Sequence, residues 1–252
     1  MAAEGFKDHF STVAGTYANY RPFYPATLFN WLATLSDRHE LAWDCGTGNG
    51  QAAVVLANHF HQVFASDASS SQIDKAIVHE RVRYQVAVAQ DSGLPERSVD
   101  LILVAQALHW FDLPAFYQEV QRVLHPDGAV VAVCYGVLQV EGEEVNHIVQ
   151  EFYGQTLAPY WPPERRHVET AYQTLPFPFQ TIDPPHLAMT TQWNLSQLLG
   201  YFRSWSAVVA FNKAMGYDPV EPLASLLTPV WGEPTVTRRM NWPLGIRAGR
   251  LA

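Results

Sequence analysis

Cysteine, positive charge and long apolar runs are all scarce in this chain. Its 252 residues hold two cysteines, Cys45 and Cys134, each inside an apolar stretch. Two thiols so placed build neither a disulfide framework nor a zinc site, and they read as buried free thiols. Lysine and arginine number 16 against 24 aspartates and glutamates, a net charge of −8. A phosphate backbone would have to be held by a local patch against that field. The densest basic group is only Arg238–Arg239 with Arg247 and Arg250, so nucleic acid is not expected as the main partner. The longest apolar run, Leu101–Leu108, is broken by Gln106 and far too short to span a bilayer. The opening MAAEGFKDHF lacks a basic segment leading into an apolar one, so no signal peptide is expected. These absences predict a cytoplasmic protein without a membrane partner. A hydrophobic content of 48% with 13% aromatics is ample for a packed core.

The most informative stretch is ELAWDCGTGNGQAAVVLA, residues 40–57. An apolar run reaches Asp44, glycines follow at 46, 48 and 50, and a helix-like run begins at Ala52. A strand feeding a glycine-rich turn that opens a helix begins a βαβ nucleotide-binding unit. Glycines let the backbone turn sharply and let a ligand lie against it. A dinucleotide fingerprint would need a glycine at 51, where Gln51 stands. Asp44, two residues before the first glycine, would repel a pyrophosphate and suits a ligand with a cationic part. S-adenosylmethionine, with its sulfonium, ammonium and adenosine, fits that description.

Strand and helix patterns then alternate. Strands are expected at Val63–Asp67, Tyr84–Ala89, Val99–Ala105 and Ala129–Tyr135, with helices over Ser69–Val78 and Leu113–Leu124 and a turn at His125–Gly128. This rhythm predicts an α/β fold with a doubly wound parallel sheet. Ahead of it, Phe6, Phe10 and Tyr17 fall on one helical face, and residues 26–36 resume a helix after YRPFYP. After residue 136 the rhythm changes. Helical patterns at 143–157, Leu195–Phe211 and Val220–Val230 surround a proline- and aromatic-rich stretch, 159–185. A strand is expected near Leu187–Trp193 and a last one around Trp242–Ala248. The expected organisation is a core with N-terminal cover helices at 1–136, a mainly helical lid at 137–235, and a final strand at 236–252.

Taken in order, these pieces resemble a class I S-adenosylmethionine-dependent methyltransferase. The motifs are FSTVAGTYANYRPFYP, WDCGTGNG, ASDAS, VAQDSGLPERSVDLILVAQALHWF and VLHPDGAV, with looser likeness in WNLSQLLGYFRSWSAV and WPLGIRAGR. Within the class, the chain is similar to the small-molecule branch of quinone C-methyltransferases and trans-aconitate methyltransferases. The resemblance implies a mostly parallel seven-stranded, Rossmann-like sheet with S-adenosylmethionine as cofactor. Gly46, Thr47 and Gly48 would lie against its methionine and ribose, and Asp44 beneath the amino end. Asp67 would accept both ribose hydroxyls, since a carboxylate is an acceptor that matches a vicinal diol; otherwise it is an acid favouring a helix N-terminus. Ala68 would pack on adenine, with Ala89 and Gln90 beside it. Gln90 stands where many relatives carry Glu, so Asp91 is a second candidate for the amino-group contact. Gln106 would contact the methionine moiety. Tyr17, Tyr20 and Arg21 would close over the cofactor, Tyr17 having core packing as its other reading.

Methyl transfer from a sulfonium is an in-line displacement, so alignment of reacting atoms about 3 Å apart is the main task. A carboxylate acceptor needs no base. His109 is either a general base for a hydroxyl acceptor or a polar wall or helix cap. Trp110, Tyr201 and Trp205 are candidate substrate walls, the last two also fitting a core. The expected function is methyl transfer to a carboxylate or hydroxyl oxygen of a small molecule. The alternatives are a cofactor-binding protein without transferase activity and, disfavoured by Gln51, a nicotinamide oxidoreductase.

Overall fold

The computed structural model of the protein describes residues 23–251. Tyr17, Tyr20 and Arg21 lie outside them. The chain runs α1 (Ala26–Ala33), β1 (Leu41–Cys45), α2 (Gln51–Leu56), β2 (Gln62–Asp67), α3 (Ser70–Ile73), β3 (Val82–Val86), β4 (Val99–Ala105), α4 (Leu113–Val123) and β5 (Leu124–Tyr135). Then come β6 (Gln139–Val140), α5 (Glu143–Glu151), α6 (Arg165–Glu169), β7 (Gln180–Ile182), β8 (Ala188–Trp193), α7 (Leu195–Arg203), α8 (Ser206–Met215), α9 (Val220–Trp231) and β9 (Arg238–Arg250).

The sheet order is β3-β2-β1-β4-β5-β9, the first five strands parallel and β9 antiparallel to β5. Alternating residues divide between the two faces. Ala42, Val63, Leu101, Leu103 and Val131 pack with α1 and α2, whereas Trp43, Phe64, Ile102, Val104 and Ala132 pack with Phe116 and Val120 of α4. This is the layered arrangement that alternating strands and helices dictate. The reversal of connection direction between β1 and β4 opens a crevice at the strands' carboxyl ends.

β9 carries more than the expected final strand. Along one edge, β5 pairs with Leu244–Gly249 and β6 follows on Met240–Asn241; β7 and β8 pair with Ala248–Arg250 and Arg238–Pro243. The strand segments therefore fall into seven lanes, two of them interrupted. The first half of β9 leaves the main sheet and supports a second core, in which Trp242, Met240, Met189, Phe202, Leu227 and Trp231 are buried. Segment 137–235 thus contributes three short strands as well as helices, which periodicity did not reveal in β6 and β7. Three of the four arginines that formed the densest basic group serve packing here. Arg238 lies 5.2 Å over the Trp231 ring, Arg247 donates to the Tyr172 and Leu175 carbonyls, and Arg250 to those of Leu35 and Asp127.

Three local expectations are corrected. The helix expected over Ser69–Val78 ends at Ile73, because the Ile77 amide donates to Asn49 O (3.0 Å) and the Ile77 carbonyl accepts from Tyr84 Oη (2.7 Å). The helix expected over Leu195–Phe211 is two, broken where the Ser204 hydroxyl takes the Tyr201 carbonyl and Trp205 turns extended. His125–Gly128 is a bulge within β5, between the pairs Val99↔Leu124 and Leu101↔Ala129.

Candidate active site

The glycine turn is held from below. The Gly46 and Thr47 amides both donate to Ser66 O (2.8 and 2.9 Å), which fastens the turn to the end of β2. Trp43 Nε1 donates to Ser66 Oγ at 2.9 Å in the buried layer beneath. The three glycines differ in role. A Cβ at Gly46 would meet Ala107 Cβ at 2.6 Å, and one at Gly50 would meet Tyr84 Oη at 2.1 Å, so both are required by protein packing. At Gly48 the nearest atom is 3.9 Å away, and this is the glycine that presents bare backbone to open space. The left-handed backbone at Gly48 (φ +57) and Gly50 (φ +86) is one that side chains rarely adopt.

Asp67 organises the far side of the turn. Its Oδ2 accepts from Gly48 N and its Oδ1 from Ser69 N, each at 2.9 Å. Asp67 thus braces the glycine turn and the start of α3 from the end of β2. Ala68 follows it. Across β3, Ala89 is buried and Gln90 exposed.

Asp44 is fully buried, and Thr47 Oγ1 donates to its Oδ2 at 2.5 Å. Burial pushes the carboxyl up to about 7, opposed by the Thr47 hydrogen bond and reinforced by the Asp67 charge. Asp44 Oδ1 and Gln106 Oε1 are buried acceptors with no hydrogen-bond partner among the described residues. Both line a small cleft with Tyr24, Thr47, Asn49, Gln51, Ala52, Ala105 and Tyr135. Gln106 is held there in left-handed backbone (φ +58), its amide bonded to Val133 O at 2.8 Å. Such strain in a non-glycine residue costs of order 1–3 kcal/mol and concentrates at functional sites. Two orphaned acceptors facing one cleft call for a donor, preferably a cation. The ammonium of S-adenosylmethionine meets that need, and the residues present fit this cofactor.

His109 stands on the short helical turn after β4, its ring tilted against that of Trp110 (centroids 4.8 Å), with Nδ1 2.9 Å from Tyr172 Oη. Tyr172 is fully buried, and both it and Ala171 adopt left-handed backbone (φ +61 and +51). Burial, with Arg165 and His167 adding to it, lowers the His109 imidazole to about 3. The ring is neutral at physiological pH, and a group this acidic in its protonated form is a weak general base. That argues for the wall reading. Tyr201 and Trp205 are both buried; Tyr201 Oη accepts from Trp242 Nε1 at 3.1 Å, and Trp205 packs against Phe202 at 4.7 Å. They belong to the second core.

Nothing in the sequence singles out Tyr24, Asn49, Tyr135 or Tyr172 as lining a site, and Gln51 stands out there only as the residue that breaks the dinucleotide pattern. Tyr135 ends β5 at the carboxyl edge, where the general rule for open sheets could have found it. Tyr172 lies in the proline-rich stretch that offers no periodic signal.

A doubly wound sheet, a glycine turn braced by two aspartates and a cation-seeking cleft at the switch point define a nucleoside-cofactor enzyme. Comparison with known proteins is specific. A methyltransferase-domain family model matches residues 43–132. A protein of Dictyostelium discoideum assigned as a methyltransferase is 34% identical over 225 residues, covering 88% of this chain and 86% of that protein. An uncharacterized methyltransferase of Mycobacterium tuberculosis is 32% identical over 175 residues, covering 69% and 66%. A solved structure from Anaeromyxobacter dehalogenans, assigned as a type II methyltransferase, superposes with a TM-score of 0.88 at 45% identity, covering 92% of this chain and 98% of that one. The chain belongs to the class I S-adenosylmethionine-dependent methyltransferases.

Proposed function

We propose that the enzyme binds S-adenosylmethionine in the cleft between β1 and β4 and methylates an oxygen of a small organic acceptor, a carboxylate or hydroxyl. The pair of orphaned acceptors, Asp44 Oδ1 and Gln106 Oε1, carries the cofactor part of this reading. When bound, S-adenosylmethionine supplies an electrophilic methyl group on a positively charged sulfur. The chain's own contribution is placement. Asp44 and Gln106 hold the amino end, the glycine turn leaves backbone space along the middle, and Asp67 takes the ribose diol. Tyr135 and Tyr24 line the same cleft, and aromatic faces near a sulfonium are attractive by cation–π interaction.

His109 supports the acceptor part. A neutral imidazole near pKa 3 draws little proton from a hydroxyl, so an acceptor already ionised, a carboxylate before an alcohol, suits this site. Resemblance to the trans-aconitate branch points the same way. Neither nucleic acid nor lipid is proposed as partner; the net charge is −8, and no helix among the described residues is long and apolar enough to cross a membrane. The test is S-adenosylhomocysteine release with S-adenosylmethionine and a panel of carboxylic acids, phenols, aliphatic alcohols and amines, products identified by mass spectrometry. Methyl esters as the best products support the reading. Transfer to amines alone would refute it.

A further inference from the structure

Near the cofactor cleft stands a cation with no carboxylate partner among the described residues. Arg165 opens α6 and is half-buried. It belongs to none of the ion pairs among the described residues, although Arg38, Arg122 and Arg203 each have a carboxylate. Its Nε donates to Tyr153 Oη at 2.9 Å, and its terminal nitrogens meet no acceptor among the described residues. The nearby Glu169 carboxylate instead accepts from the Tyr153 hydroxyl. The guanidinium lies over two rings, 5.1 Å from the Trp161 centroid and 5.6 Å from that of Tyr153.

Desolvating a guanidinium without a counter-ion is costly, and proteins keep such an arrangement chiefly where an anion arrives. Local geometry is built to hold it. Tyr153 sits in a π-helical turn, Phe152–Thr156, that continues α5, and such turns concentrate at functional sites. The left-handed pair Ala171–Tyr172 follows α6 and brings the Tyr172 hydroxyl to His109. The α6 helix that Arg165 opens packs against the Leu108–Trp110 turn, which carries His109 and closely follows Gln106 of the cofactor cleft. The cation therefore adjoins the place where an acceptor meets the methyl group.

We propose that Arg165 anchors a carboxylate of the methyl acceptor, whose planar apolar body lies among Trp161, Tyr153 and the His109–Tyr172 pair. This rests on the small-molecule methyltransferase reading and names its substrate class: an aromatic or conjugated organic acid. Arginine suits the role because its planar fork binds carboxylate through paired hydrogen bonds while stacking on rings. The anchored carboxylate, its charge drawn toward the guanidinium, is a poor nucleophile. The oxygen that takes the methyl group is therefore a second one on the same molecule.

The experiment is tryptophan-fluorescence titration of the whole chain, saturated with S-adenosylhomocysteine, using acid and amide pairs: benzoate with benzamide, trans-cinnamate with cinnamamide, phthalate with phthalamide. At least one acid is expected to bind tenfold or more tightly than its amide. Arg165→Gln should erase that preference and Arg165→Lys retain only part of it, with S-adenosylhomocysteine affinity the same in all three proteins. Equal binding of every acid and amide by the native protein would overturn the anchor, as would a preference that survives in Arg165→Gln. Should Arg165→Gln unfold, an undiminished preference in Arg165→Lys would overturn it equally. Failure of the native protein to bind S-adenosylhomocysteine would instead remove the reading beneath it.

Discussion

Asp44 sets stability against function, and Asp44→Asn measures how strongly. The carboxyl is wholly buried and raised from 3.8 to about 7, chiefly by desolvation. A carboxyl whose folded pKa lies above its unfolded value weakens the fold when ionised. The penalty is absent below pH 3.8, grows between 3.8 and about 7, and is complete above. At 1.36 kcal/mol per unit it reaches roughly 4 kcal/mol at pH 8 and roughly 1–2 kcal/mol at pH 5. Asn at this position escapes the penalty but leaves a buried amide imperfectly paired, which costs about 1–3 kcal/mol. The ligand-free Asp44→Asn protein should therefore be more stable than the parent at pH 8 by about 1–3 kcal/mol. That advantage should shrink by about 2–3 kcal/mol on going to pH 5, where the parent carboxyl is mostly protonated. Urea unfolding of the two proteins at both pH values reads this difference directly. The same variant should lose most of its affinity for S-adenosylmethionine, because the cationic end faces a neutral amide. Equal stability of the pair at pH 8, or a stability gap independent of pH, would refute the argument.

Asp67→Ala should lower cofactor affinity tenfold to a hundredfold in calorimetry, about 1.5–3 kcal/mol, through the lost diol contact and the freed Gly48 amide. His109 is held at about 3, below its ordinary 6.5, so the unfolded chain binds the proton more readily and the fold loses stability as pH falls through 6.5 toward 3. His109→Asn should flatten that loss between pH 7 and 5 in urea unfolding, and the native turnover profile should show no His109 inflection between pH 5 and 8. Gly50→Ala places a Cβ 2.1 Å from Tyr84 Oη in left-handed backbone. It should cost about 2–4 kcal/mol in urea unfolding, whereas Gly154→Ala, whose Cβ meets nothing within 4 Å, should not.

The half of the chain that alternates strand and helix was legible because each strand end carried its own chemistry. Asp44, Gly48, Asp67 and Gln106 are short-range features: an acid or amide at the end of an apolar run, beside a glycine turn. The structure brings Asp44 and Gln106 to one cleft and joins Asp67 to the Gly48 amide on the neighbouring turn. His109 was visible as a residue after β4, but its role was not, because burial, with Arg165 and His167 from a distant part of the sequence, decides its pKa. Arg165 was invisible for the same reason. Nothing local distinguishes it from Arg166, and only the π-helical turn and Tyr153 make one of the two a held cation. The strands β6 and β7, of two and three residues, are too short for periodicity to register. They exist because β9 offers unpaired edges. Tyr201 and Trp205 illustrate the converse, since aromatic spacing on a helix reads alike whether the rings face a substrate or a second core.

The most direct test of the account is thermal unfolding of the whole protein with S-adenosylmethionine, S-adenosylhomocysteine, NAD and NADP in parallel. A ligand at a hundred times its dissociation constant adds about 2.7 kcal/mol. For a chain of this length that raises the midpoint by roughly 5–10 °C. The account predicts such a rise with the two adenosyl sulfur compounds and none with the nicotinamides, the rise falling to about half or less in Asp67→Ala at the same ligand concentration. A rise with NAD or NADP and none with S-adenosylmethionine would contradict it at its centre.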